Sequence, residues 1–356
     1  MEQDKNNHLY RIAVIPGDGI GPEVIEAGMV VADAAAKLYG VAVDWHEYPW
    51  GCAYYLQNGR MLEEGGLEAL KSFDAIYLGA VGYPTVPDHI SLRQLLLPIR
   101  MHYDLAVNLR PIRLLPGIEC PVKGVDDIDF VIVRENTEGE YAGAGGRTHQ
   151  GSGDEVAVQT GIFTYHGVRR VLRYAFRLAE SRRKRLDIIT KSNALQYSMV
   201  FWDEQARDLH REFPDVTMRF LHVDAATARI MLKPQEFDVV VASNLFGDIL
   251  SDLGAALIGG LGIAPSANIH AENEKPALFE PVHGSAPDIE DAGLANPVAA
   301  IWTAAMMFDW LGEKRVSQAI MKALGETLAA GIKTRDLGGS ARTMDVAAAV
   351  IDRLSA

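Results

Sequence analysis

Residues 237–252, Phe-Asp-Val-Val-Val-Ala-Ser-Asn-Leu-Phe-Gly-Asp-Ile-Leu-Ser-Asp, decide the fold class. The apolar run 237–242 is short and rich in valine, so it reads as a buried strand. Behind it, Asp248 and Asp252 stand four residues apart, the spacing of one helical face. Working outward, strand-like runs at 11–15, 75–78, 130–133 and 186–190 alternate with helix-like segments such as 23–38. That alternation predicts an α/β protein with a largely parallel sheet. Residues 141–165 depart from it: they are rich in glycine and polar residues, then alternate through Val156 and Val158, and read as an extended β-arm suited to a contact between subunits.

With 356 residues, 48% hydrophobic and 23% charged, the chain can bury a sizeable core and form two domains. The first ten residues are polar, and apolar runs such as 298–308 are too short to cross a bilayer, so a cytoplasmic protein is expected. Cys52 and Cys120 are the only cysteines, and neither lies in a CxxC or Cys/His cluster, so no disulfide framework or cysteine zinc site is suggested. A formal charge of −13 argues against nucleic acid or an anionic membrane as partner, since both need an excess of Lys and Arg. An anionic substrate would have to meet a local patch of arginines.

Like charges one helical turn apart repel by a few tenths of a kcal/mol, so Asp248 and Asp252 call for something cationic. Hard oxygen ligands favour Mg²⁺ or Mn²⁺, which keep positions open for water or substrate; a solvated helix face is the alternative. Arg100, Arg110 and Arg134 each border an apolar run. Guanidinium groups clamp carboxylates bidentately, so a converging trio suits a dianionic substrate, with separate salt bridges as the bland reading. Tyr141 follows Arg134 closely and could deliver a proton. Lys191 directly follows the run 186–190 at an expected helix start, where burial and the local positive field would lower its pKa and make it a base.

Two loops remain. Gly17-Asp18-Gly19-Ile20-Gly21-Pro22 follows a strand and opens a helix, but Pro22 occupies the third-glycine place of the dinucleotide-binding pattern, so this turn reads equally as a tight strand-to-helix connection. Residues 280–289 form a Gly/Ser/Pro loop whose backbone amides could hold a pyrophosphate. Asp288 in that loop could accept ribose hydroxyls and repel the 2′-phosphate of NADP, or simply cap a helix.

Taken together, residues 16–23, 108–111 (Asn-Leu-Arg-Pro), 134–139 (Arg-Glu-Asn-Thr-Glu-Gly), 244–252 and 283–288 resemble the isocitrate/isopropylmalate dehydrogenase family, in order and over nearly the whole chain. Within it, residues 86–92 (Val-Pro-Asp-His-Ile-Ser-Leu) and 239–252 are most similar to the tartrate dehydrogenase/decarboxylase and D-malate dehydrogenase branch. The resemblance implies NAD- and Mg²⁺- or Mn²⁺-dependent oxidation of a small 2-hydroxy dicarboxylate, with or without decarboxylation, and K⁺ as a further candidate ion. It implies that Arg100, Arg110 and Arg134 hold the substrate carboxylates, and that Asp248 and Asp252 bind the metal with Asp224 of the partner subunit in a homodimer. Lys191 would act across that dimer as the base, and Tyr141 would protonate the enol left after CO₂ departs. NAD would lie on His283, Gly284, Ser285, Ala286 and Asp288, and on Asn296.

The same resemblance implies two α/β domains that share a large mixed sheet, with a β-arm for dimerisation: a cofactor-binding domain joining residues 1–105 to 262–356, and a substrate, metal and dimerisation domain at 106–261 with the arm at about 141–165. Alternatives are a 3-isopropylmalate dehydrogenase and a catalytically silent regulatory subunit of the same fold. Retention of Asp224, Asp248, Asp252, Lys191 and Tyr141 speaks against the silent subunit. Arg93, in the helix ending at Arg100, is expected to line the pocket poorly for an isopropyl group, which favours tartrate or malate.

Overall fold

The computed structural model describes residues 8–274 and 276–355, so residues 1–7 of the polar N-terminal stretch lie outside it. Its strands are β1 (Leu9–Gly17), β2 (Ala42–Glu47), β3 (Ala75–Ala80), β4 (Val107–Arg113), β5 (Asp129–Glu135), β6 (Gly139–Thr148), β7 (Val156–Ile162), β8 (Arg185–Thr190), β9 (Thr217–His222), β10 (Val239–Ala242), β11 (Pro265–Ile269) and β12 (Ala277–Pro281). Ten of them form one sheet in the order β2-β1-β3-β12-β11-β4-β5-β10-β8-β9. The sheet is mixed, as the family resemblance implies, and not largely parallel, as the alternation of elements alone suggests: the pairs β12/β11, β11/β4 and β4/β5 at its centre are antiparallel. β4 and β11 escape the sequence reading because β4 carries Asn108, Arg110 and Pro111, and β11 carries Ser266 and Asn268, so neither is an apolar run.

That polar content follows a period of two. Cross-strand partners share a face, and Glu280↔Ser266, Asn268↔Asn108 and Asn108↔Arg134 are partners, so Glu280, Ser266, Asn268, Asn108, Arg110 and Arg134 point to one side of the seam. Phe279, Ala267, Leu109 and Val133 point to the other. Elsewhere both faces are covered, as the wholly buried β3 and β10 require. In β1, Ile12 and Val14 join the main core while Ala13 and Ile15 join a smaller one with Trp50, Ile76 and Leu78.

Helices Gly21–Leu38, Val298–Leu311, Lys314–Ala329 and Thr343–Ile351 pack together beside the β1, β3 and β12 part of the sheet. Helices Tyr165–Ser181 and Asn244–Leu257 pack on β5 and β10. The five strands from β2 to β11 in the order come from residues 9–80 and 265–281, and the other five from residues 107–242. β6 and β7 form a separate two-stranded antiparallel arm, with every residue of β7 exposed. No described helix is long and apolar enough to cross a membrane.

Candidate active site

A cavity of about 230 Å³ opens on the polar side of the antiparallel seam. It collects Arg100, Arg110, Arg134, Tyr141, Asp248, His283 and Gly284, residues spread over more than half the chain. Arg134 reaches it from the end of β5, and Arg110 from β4. Arg100 comes from the helix Leu97–His102, which continues a π-helical turn, Leu92–Leu96. Such turns bulge a helix and often lie at functional sites. Here it sends Leu92, Leu96 and Leu97 to the cavity wall. Arg93 is not part of that wall, contrary to expectation; a Cβ placed on Gly143 at the base of the arm would fall 2.9 Å from its Nη1. The helix therefore offers an apolar surface, and Arg93 does not disfavour a branched substrate as expected.

All three arginines are nearly buried, and each is held by named partners. Arg100 donates to Glu280 Oε1 at 2.7 Å, while its buried Nε has no acceptor among the described residues. Arg110 donates from Nε to Asn108 Oδ1 (2.9 Å) and from Nη1 to Ser251 Oγ (2.6 Å), and lies 3.3 and 3.4 Å from Asp248 and Asp252. Arg134 donates from Nε and Nη2 to Asn244 Oδ1, at 3.1 and 2.7 Å, and from Nη1 to Asp248 Oδ1 at 2.5 Å. Tyr141 donates its hydroxyl to the other oxygen of Asp248, at 2.9 Å. Close packing makes this possible: a Cβ on Gly247 would come within 2.7 Å of the Arg134 side chain.

The electrostatics follow from burial against mutual compensation. Burial pushes the Asp248 carboxyl up, but Arg134, Arg110 and the Tyr141 hydroxyl together hold it below the ordinary carboxylate range. Asp252 is raised, by burial and by Asp248, with Arg110 opposing. Burial, then Asp248, raises Tyr141, which therefore keeps its proton at neutral pH. Arg110 and Arg134 are lowered by burial and by neighbouring arginines, yet a guanidinium stays charged in proteins. Two cations, Arg110 and Arg134, thus face two carboxylates on adjacent turns of one helix.

Asp248 and Asp252 are hard oxygen donors of the kind Mg²⁺ and Mn²⁺ prefer. Among the described residues no group of three or more His, Cys, Asp or Glu side chains is placed to hold a metal ion, so Asp248 and Asp252 stand without a third such donor beside them. Asp224 and Lys191 are not in the cavity wall; they pair with each other, Nζ to Oδ1 at 2.8 Å. Lys191 is also not at a helix start. Ala194 and Leu195 donate back to its carbonyl in a turn that goes no further, and the next helix begins at Ser198.

Beside the cavity lies a hollow of about 460 Å³ lined by Ile20, Gly262, His283, Ile289, Leu294, Asn296, Arg335 and Asp336. His283 borders both spaces. Burial lowers its pKa, and its buried Nε2 has no partner among the described residues, which leaves a polar atom for a ligand to satisfy. Asn296 lines the hollow with its amide donated to Asp336 at 2.8 Å. Asp288 is exposed in a short 3₁₀ turn, Pro287–Ile289, that follows Ala286 at φ 38°, so it is not the cap of an α-helix. The glycine-rich turn holds this loop: Ile20 N–H donates to the Ser285 carbonyl at 2.8 Å, and a Cβ on Gly19 would meet that carbonyl. Asp18 in turn accepts backbone amides from Cys52, Ala53 and Gly82. Its tight-turn reading thus has a counterpart in the structure, and Ile20 also lines the hollow.

Sequence reasoning gave no role to Asn244, Glu280, Ser251, Arg335 or Asp336. Asn244 and Glu280 stood inside quoted motifs, but only their contacts reveal them as arginine holders.

Residues 11–351 match the isocitrate/isopropylmalate dehydrogenase family. The chain belongs to that family. It is 53% identical over 350 residues to a D-malate dehydrogenase (decarboxylating) of Escherichia coli (strain K12), covering 96% of this chain and 97% of that one. It is 52% identical to a probable tartrate dehydrogenase/decarboxylase of Agrobacterium vitis, over 97% of this chain and 98% of the relative. The fold is similar to the crystal structure of isocitrate dehydrogenase from Methylococcus capsulatus, with a TM-score of 0.88 at 35% identity over 97% and 99% of the two chains. Family membership accounts for the large mixed sheet and for the order of the motifs.

Proposed function

We propose that this chain is an NAD- and divalent-metal-dependent dehydrogenase that oxidises a small 2-hydroxy dicarboxylic acid, tartrate or D-malate, and decarboxylates the keto acid when its substrate allows. One observation carries the reading: Arg110 and Arg134 meet Asp248 in one cavity, Asp252 pairs with Arg110 one turn further along the same helix, and the buried Nε of Arg100 has no acceptor among the described residues. A divalent cation on the aspartates and a dianion on the arginines would enter together without changing the cavity's net charge. The names of the relatives at about half identity support the substrate class.

In this reading Arg100, Arg110 and Arg134 bind and orient the two carboxylates. The metal, on Asp248, Asp252 and Asp224 of the partner subunit, would supply Lewis-acid polarisation of the substrate oxygen. Lys191 of the partner subunit would take the hydroxyl proton, and His283, Gly284, Ser285, Ala286, Asp288 and Asn296 would hold NAD, which would supply the acceptor for the hydride from C2. In a substrate with a β-carboxyl, the bond to that carboxyl then breaks, CO₂ departs, and Tyr141 returns a proton to the carbon. Asp288 favours NAD over NADP by repelling a 2′-phosphate. The two halves of the sheet, residues 1–105 with 262–356 and residues 106–261, act as cofactor and substrate domains. A homodimer formed with the 141–165 arm works in the cytoplasm, where Cys52 and Cys120 stay reduced.

The apolar wall of Leu92, Leu96 and Leu97 favours a second reading, 3-isopropylmalate as substrate. Comparing kcat/KM for D-malate, tartrate and 3-isopropylmalate with NAD and Mn²⁺ decides between them. The first reading expects the smaller acids to lead. A preference for 3-isopropylmalate would replace it, and no NADH with any of the three would end the dehydrogenase reading.

A further inference from the structure

The polar side of the seam carries more buried hydrogen-bonding groups than the sheet needs. Asn108, Ser266, Asn268 and Asn136 are all nearly or wholly buried, where an apolar side chain would avoid the cost of desolvation. Asn268, on β11, is fully buried and fills its bonding capacity. Its Nδ2 donates to Glu280 Oε1 at 2.8 Å and to the Leu278 carbonyl at 3.2 Å. Its Oδ1 accepts from Asn108 at 3.0 Å and from Asn136 at 2.9 Å.

Those neighbours hold the arginines. Glu280 Oε1 accepts from Arg100 at 2.7 Å, and Asn108 Oδ1 accepts from Arg110 Nε at 2.9 Å. Arg100 and Arg110 line the same cavity and, as like charges, repel each other. Two like-charged groups in one cavity keep a fixed separation only if something rigid ties their holders together. Asn268 makes that tie, from strand β12 to strand β4.

We infer that Asn268 is a positioning residue for dicarboxylate recognition: through Glu280 and Asn108 it sets Arg100 against Arg110 at the spacing of two substrate carboxylates. This rests on the proposed function, which it deepens by naming what makes the site select two carboxylates over one.

Asn268→Asp separates the two sides of the tie. The new carboxylate still accepts from Asn108 and Asn136, but it cannot donate to Glu280 and repels it, so Arg100 loses its fixed place while Arg110 keeps its own. The expected result is a rise of about tenfold in KM for D-malate, with a smaller change in kcat and an unchanged KM for NAD. The preference for D-malate over the monocarboxylate D-lactate should fall by a similar factor. In an Arg100→Ala background the same substitution should cause no further loss, because the two act through one contact.

Asn268→Ser, smaller and uncharged, serves as the second variant should the aspartate impair folding, with the same direction of change expected. A wild-type KM for D-malate in a folded Asn268→Asp or Asn268→Ser chain overturns the inference. So do additive losses in the Arg100→Ala background, or a fall in melting temperature with the D-malate to D-lactate ratio unmoved, which mark a merely structural role. Should the wild-type chain neither bind nor oxidise D-malate or tartrate, the functional reading fails first and the inference falls with it.

Discussion

At the residue scale, three side chains meet at Asp248: Arg134, Arg110 and Tyr141 all converge on one carboxylate. Asp248→Asn keeps the shape but removes the charge that would bind the metal and that now balances two guanidinium groups. Activity at ordinary Mn²⁺ levels should fall by about a hundredfold or more with the circular dichroism spectrum unchanged; near-normal turnover would remove Asp248 from the metal site. Asp288 is exposed and free of an α-helix to cap, so its acidity is available to a ligand. Asp288→Ala should raise KM for NAD and narrow the NAD to NADP ratio, and an unchanged ratio would leave it without a role in cofactor choice. Gly247 is set by contact rather than by backbone freedom. Alanine there gains up to about 1 kcal/mol of helix propensity, yet its methyl meets the Arg134 side chain. Gly247→Ala should therefore raise KM for the dicarboxylate by moving Arg134, which substrate titrations on the folded variant would detect.

At the scale of elements, apolar strands such as β3, β5, β8 and β10 were legible because each is a compact run flanked by helix or turn signals. β4, β11 and β12 were not, and for a functional reason: one face of each carries the polar residues that build the cavity, so their sequences do not look like core. Arg100, Arg110, Arg134, Tyr141 and Asp248 were legible as a site through motif order. The surroundings of Lys191 and Arg93 were not, since an abandoned turn and a π-helical bulge reset what each side chain faces. Another pair of elements gives a stability prediction. Helix Tyr165–Ser181 is tied to helix Ser198–His210 and the residues after it by Arg169 to Asp208 and by Arg173 to Glu212. The hydrogen bonds from Arg169 and Arg173 hold Asp208 and Glu212 below the usual carboxylate range. A carboxylate depressed in the folded state contributes stability above its unfolded pKa and loses it as pH falls through the folded value. Glu212→Gln should therefore melt lower than wild type at about pH 7, and the gap should close toward about pH 3. A gap independent of pH would mean that the pair contributes packing and no charge.

At the scale of the whole molecule, one chain presents two incomplete sets. The cavity wall holds the arginines, Tyr141 and Asp248, with Asp252 against Arg110 one turn on, while Lys191 and Asp224 pair with each other outside it. The proposed dimer completes both sets by exchange across a symmetric interface. Mixing two inactive variants tests this most directly. Lys191→Ala and Asp248→Asn chains, unfolded and refolded together or co-expressed, form hybrids in which one site combines an intact Asp248 from one chain with an intact Lys191 from the other. Random pairing of dimers should restore roughly a quarter of the wild-type rate of NADH formation with D-malate or tartrate. Hybrids demonstrated by native mass spectrometry that show no activity above the two parents would contradict a site shared between subunits.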